Sequence, residues 1–231
     1  MRPEAAMVFA AGKGTRMGTV SDLRPKALTP VLGRTLLDRA LDMVADAGIA
    51  RAVVNTHHLA GMVSDHLAAR ALPVTAVSHE ARILDTGGGL KQALPLLACD
   101  PVATISAKVV WDGPNPLSLL SGAWQPGMEA LLLLVPTDAA LGHGGTGDFF
   151  LSDGRPERRG AAAAAPFVYA SAQILRTDAV ADAPDAVFSL NRIWDAMIAR
   201  GSLHALVYPG RWAAIESPAS LSAADALAAR A

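Results

Sequence analysis

A chain of 231 residues with 52% hydrophobic and 18% charged residues can bury a substantial core and is too apolar to be disordered. Its formal net charge of −1 gives no electrostatic footprint for nucleic acid or an acidic membrane, so neither is expected as a partner. The single cysteine, Cys99, excludes an internal disulfide, and its apolar neighbours suggest a buried, inert thiol. No basic-then-apolar leader pattern opens the chain, and apolar runs such as Ala130 to Val135 are far too short for a bilayer. The expected location is cytoplasmic.

In chain order, Ala5 to Ala11 is an apolar run bounded by glycine and reads as a buried first strand. Leu36, Leu37, Ala40, Leu41 and Val44 recur at helical spacing, and Gly48 stops that helix. Ala52 to Asn55 reads as a second strand, Gly61 to Ala69 as a helix and Val74 to Val77 as a third strand. Gly87-Gly88-Gly89 opens a helix through Leu90, Ala93 and Leu96, followed by strands at Val102 to Ile105 and Ala130 to Val135. This βαβα order predicts an α/β fold with a mainly parallel central sheet and helices on both faces. Ligands of such sheets bind beyond the carboxyl ends of the strands.

The second half is less regular, and no linker separates it. Ser152-Asp153-Gly154-Arg155 signals a hairpin turn after Asp148 to Leu151. Phe167 to Leu175 reads as a strand, Ser189 to Arg200 as a helix capped by Ser189, and the alanine-rich Gly160 to Ala165 as a loop. No internal repeat is visible.

The chemistry concentrates after the first strand. Glycines at 12 and 14 let backbone N–H groups approach a phosphate, because no Cβ blocks the way. Arg16 adds a planar fork and Lys26 a compact point charge, so the loop reads as an anion cradle with two clamps. Gly12, Gly14 and Gly18 are spaced one residue too long for the dinucleotide fingerprint, and no Gly-Lys-Ser/Thr supplies a P-loop. Other chemistries lack support. His57 and His58 alternate on an extended segment and cannot both line one site, no spacing suggests zinc, and there is no Gly-x-Ser-x-Gly elbow. Trp124, Trp194 and Trp212 read as packing residues.

Residues 10–16, Ala-Ala-Gly-Lys-Gly-Thr-Arg, with Arg24-Pro25-Lys26-Ala27-Leu28, resemble the signature of the sugar-phosphate nucleotidyltransferases. Similarity continues through Pro30 to Gly33, Asn55-Thr56-His57, Leu84 to Gly89 and Gly145 to Phe149. The chain looks most similar to the branch holding N-acetylmuramate-1-phosphate uridylyltransferases and mannose-1-phosphate guanylyltransferase-like proteins. The resemblance implies a Rossmann-like nucleotidyltransferase fold over residues 1–231, with a nucleotide-binding part at 1–115 and a sugar-binding part at 116–231. It implies a nucleoside triphosphate and a sugar 1-phosphate as partners. Arg16 and Lys26 would be catalytic cations; Ala10, Ala11, Gly12, Gly14, Thr15, Asn55, Asp85, Thr86, Gly87 and Gly88 would hold the nucleotide. Asp148, Tyr169 and Asn191 would face the sugar. On the local pattern alone, the 85–88 segment reads equally as a helix start with Thr86 as its cap.

The resemblance also implies Mg2+, held by two aspartates, and here the chain departs from the family. Lys108 and Ala214 stand where those carboxylates would fall. A protonated lysine has no acceptor for a cation, so no side chain is assigned to a metal. Asp112, four residues beyond Lys108, and Asp148, in the matched Gly-Asp-Phe motif, are the alternative oxygen donors, and no spacing brings either to the site. The expected alternative to an active transferase is an impaired member that binds nucleotide or nucleotide-sugar without turnover.

Overall fold

The computed structural model describes residues 2–18, 20–71 and 73–229. The first strand, Ala5–Phe9, lies inside a nine-stranded sheet, parallel to Arg51–Thr56 on one side and Val102–Ser106 on the other. Val74–His79 continues the parallel order beyond Arg51–Thr56. Period-two alternation divides the core as strand geometry demands. Ala6 and Val8 pack with Leu37, Leu41 and Val44 of helix Leu36–Asp46 and with Leu117 and Leu120 of helix Pro116–Ala123. Ala5 and Met7 face the other way, onto Leu90 and Leu97 of helix Asp85–Leu97 and Ile193, Trp194 and Met197 of helix Leu190–Arg200. Helices therefore cover both faces.

Local signals set the ends of these helices. Thr35 Oγ1 accepts from the Asp38 N–H at the start of Leu36–Asp46, and Gly48 leaves it with φ 74°. Ser189 Oγ accepts from Asn191 N at 3.3 Å, and Gly201 ends that helix with φ 68°.

The parallel order does not extend through the whole sheet. Phe167–Leu175 runs antiparallel between Val102–Ser106 and Ala130–Pro136, and the hairpin Phe149–Ser152/Arg155–Arg158 pairs onto its edge. The sheet is thus mixed, because the chain passes from Ala130–Pro136 to Phe167–Leu175 through a hairpin and short turns, with no α-helical crossover between them. A bulge in Phe167–Leu175 puts Ser171 at φ 67°, and the Ala170 carbonyl accepts from Trp212 Nε1 at 2.9 Å. Cys99 is only half-buried, its thiol 3.7 Å from the Pro101 carbonyl, because it lies in the turn after a helix rather than inside an element. No helix among the described residues is long and apolar enough to cross a membrane.

A small three-stranded sheet positions the site's far wall. Arg211–Ala214 pairs antiparallel with Val109–Asp112, Ala214 opposite Val109, and parallel with Ala140–Leu141. The ladder ends with Ile215 N donating to the Lys108 carbonyl at 2.9 Å. Lys108 and Glu216 are thereby held side by side.

Candidate active site

A pocket of about 330 Å³ opens at the carboxyl end of the first strand. Its floor is the glycine loop. Asn55, 4% exposed, accepts from Ala10 N at 2.7 Å and Ala11 N at 3.3 Å, and its Nδ2 donates to Glu80 Oε1 at 2.7 Å. Glu80, 1% exposed, also accepts from Leu84 N at 3.0 Å. This buried relay joins the loop to the segment before Asp85, and both carboxylate oxygens are spent on it. Gly14 adopts φ 65°, and a Cβ there would lie 3.0 Å from Lys26 Cβ. Its lack of a side chain lets the Lys26 stem close over the loop.

Three cations line the pocket: Arg16, Lys26 and Lys108. Arg16 Nη1 meets Glu216 Oε2 at 2.6 Å. Burial pushes the Lys26 ammonium down to about 8; Lys108 and Arg16 add like-charge repulsion, which Glu216 partly offsets. Burial likewise lowers Lys108, against the attraction of Glu216 and Asp148. A site that depresses lysines in this way stores unfavourable positive charge that an anion relieves.

The sequence-derived residues divide into two groups. Ala10, Ala11, Gly12, Gly14, Thr15, Arg16, Lys26, Asn55, Asp85 and Thr86 all line this one pocket. Gly87 and Gly88 do not. Their N–H groups both donate to the Phe188 carbonyl, at 2.9 and 3.1 Å. Thr86 does not cap its own helix; its Oγ1 accepts from Leu190 N at 3.0 Å. Asp148 lies within electrostatic reach of Lys108, but its Oδ2 accepts from Tyr169 N at 2.9 Å. Tyr169 stacks edge-on against Trp194 at 4.7 Å, and burial raises its phenol. Asn191 is exposed at a helix start, its carbonyl taken by Arg158. Neither Tyr169 nor Asn191 reaches the pocket wall.

Glu80, Ser106 and Glu216 line the pocket without having been singled out from the sequence. Glu80 and Ser106 lie at or just beyond strand carboxyl ends, the zone that α/β topology marks for ligands. Ala214 points into the core at 1% exposure, and the side chain of its segment that lines the pocket is Glu216, two residues on.

Residues 6–214 match the MobA-like NTP transferase domain. The chain belongs to this family. It is 38% identical to the N-acetylmuramate alpha-1-phosphate uridylyltransferase of Caulobacter vibrioides, over 97% of this chain and 96% of that protein. Among solved structures it superposes on HddC from Yersinia pseudotuberculosis complexed with GMP-PN, with a TM-score of 0.78 at 17% identity. That match covers 96% of this chain and 98% of the other. The inositol-1-phosphate CTP transferase from T. maritima gives a TM-score of 0.82 at 14% identity, covering 100% and 96%. These two structural likenesses establish the fold, the Rossmann-like nucleotidyltransferase architecture.

The pocket does not fit a divalent cation. No group of three or more His, Cys, Asp and Glu among the described residues is arranged to hold a metal. Of the pocket carboxylates, Glu80 is consumed by Asn55 and Leu84, Asp85 Oδ1 accepts from Thr86 N, and Glu216 engages Arg16. Lys108 adds an ammonium without an acceptor. Asp112 is paired with Arg211 at 2.7 Å, away from the pocket.

Proposed function

We propose that this protein transfers a uridylyl group from UTP to a sugar 1-phosphate, giving a nucleotide-sugar and pyrophosphate. The observation carrying it is the convergence of Arg16, Lys26 and Lys108 on the glycine loop, a site built for a polyanion. The sugar phosphate oxygen attacks the α-phosphorus in line and pyrophosphate departs. Arg16 and Lys26 neutralise charge on the triphosphate, and the Gly12–Gly14 backbone orients it. Asp85 and Thr86, which line the same pocket, read the base edge in this proposal. The choice of uracil rests on the Caulobacter relative, a uridylyltransferase similar to this chain over nearly its whole length. Residues 1–115 then form the nucleotide part, residues 116–231 the sugar part beyond Lys108, and the reaction belongs in the cytoplasm.

One observation favours a second reading, a member that binds nucleotide without turnover. Metal-assisted charge stabilisation contributes several kcal/mol, so its loss costs on the order of a thousandfold in rate. Incubating the protein with UTP, CTP, GTP or ATP and a panel of sugar 1-phosphates, with 31P NMR and pyrophosphate release as readouts, separates the two. Product from UTP supports the first reading. UTP binding without pyrophosphate release supports the second.

A further inference from the structure

We infer that the pocket takes its polyphosphate ligand as the metal-free anion, and that this anion displaces the Glu216 carboxylate from the cations it now neutralises. The inference rests on the nucleotide-binding reading above and adds the form of the ligand and the group it replaces.

The charges on the pocket wall carry the case. Arg16, Lys26 and Lys108 interact electrostatically with one another, and among the lining carboxylates Glu216 is the one that attracts both lysines. Glu80 is occupied by Asn55 and Leu84 N, and Asp85, exposed and holding Thr86 N with one oxygen, is not among the groups that attract either lysine. Glu216, with Asp148 reaching only Lys108 and from outside the pocket wall, thus serves three cations, and the cluster remains positive. A divalent ion would add charge of the wrong sign, and it would find an ammonium where it needs oxygens. A metal-free polyphosphate carries more negative charge than its metal complex and suits the cluster better.

Glu216 is placed to yield. Its link to Arg16 ties it to a side chain that is 72% exposed, and ion pairs of that kind are weak in water. Its backbone, by contrast, is fixed beside Lys108 by the Ile215–Lys108 hydrogen bond. The carboxylate can therefore swing away while Lys108 stays at the wall, ready to meet a phosphate oxygen. Glu216 acts as a resident counter-ion that the ligand must replace.

Calorimetric titration of the whole chain with inorganic tripolyphosphate and with UTP, in EDTA and in excess magnesium, tests this. Wild type should bind both in EDTA, and magnesium should leave affinity unchanged or weaken it. Glu216→Gln, which keeps the shape and removes the competing charge, should tighten metal-free binding by about tenfold; Lys108→Met should weaken it by about tenfold. Should Lys108→Met unfold, the wild-type and Glu216→Gln titrations decide alone. Magnesium tightening binding by about tenfold or more, or Glu216→Gln leaving affinity unchanged, overturns the inference. Magnesium-dependent nucleotide-sugar formation would overturn it while the transferase reading stands. Absence of binding to either probe, with or without magnesium, would overturn both.

Discussion

Two glycine-rich segments flank the pocket, and the same residue type does different work in each. At Gly12 a Cβ would meet no protein atom within 4 Å, and the residue lines open space. At Gly87 a Cβ would lie 2.3 Å from the Phe188 ring, at Gly88 2.2 Å from the Ala186 carbonyl, and at Gly89 2.6 Å from Glu80. The first glycine leaves room for a ligand. The triplet leaves room for the protein, docking helix Asp85–Leu97 under the segment 186–188. Glycine in a sequence announces close approach without saying what approaches.

The largest expected effect comes from breaking the packed segment. Gly88→Ala must push the Ala186 backbone away, and overpacking of this kind costs about 3 kcal/mol. Chemical denaturation should show the loss directly. An unchanged midpoint would mean that segment 186–188 yields easily, and the contrast with Gly12 would collapse. Next comes the cation arm of the open segment. Lys26→Ala should weaken triphosphate binding by about 2 kcal/mol through loss of a charge-assisted hydrogen bond, and leave uridine binding nearly unchanged. Equal losses for uridine and UTP, by calorimetry, would take Lys26 off the phosphate site.

How much of this was legible in the sequence follows from the range of the interactions involved. The strand-loop unit at 5–16 and the helices ending at Gly48 and Gly201 depend on neighbours in sequence, and they read correctly. The antiparallel course of Phe167–Leu175 depends on partners at Val102–Ser106 and Ala130–Pro136, which no local pattern encodes. Glu80 and Glu216 escaped notice for the same reason. Glu80 matters through Asn55, 25 residues earlier, and Glu216 through Arg16, 200 residues earlier. Lys108 was visible because it stands where the resemblance leads one to expect a carboxylate.

A smaller effect follows from the depressed lysine. Lys26 titrates near 8, below its ordinary value, with Lys108, Arg16 and Glu216 facing it. Its protonated form opposes folding, so stability should rise with pH from about 8 to the ordinary lysine range. Anion binding should run the other way. Affinity should fall above pH 8, by at most about tenfold per pH unit for one proton, and binding near pH 8 should take up a proton. Titrations in two buffers of different ionisation enthalpy measure that proton. No uptake would mean Lys26 does not contact the ligand.

The smallest stability change should come from Gly12→Ala, and it sharpens the comparison most. Gly12 does not need a positive φ, and nothing in the protein opposes its Cβ. Alanine there restricts the unfolded chain without straining the folded one, a gain of about 0.5 kcal/mol. The same methyl group would stand in the path of a phosphate approaching the loop backbone, so triphosphate affinity should drop although the protein becomes slightly more stable. Thermal melts with and without UTP read both quantities on one sample. If Gly12→Ala melts higher alone yet gains less from UTP than wild type, the open glycine serves the ligand. If it melts lower alone, the loop is packed after all, and the two glycine segments are alike.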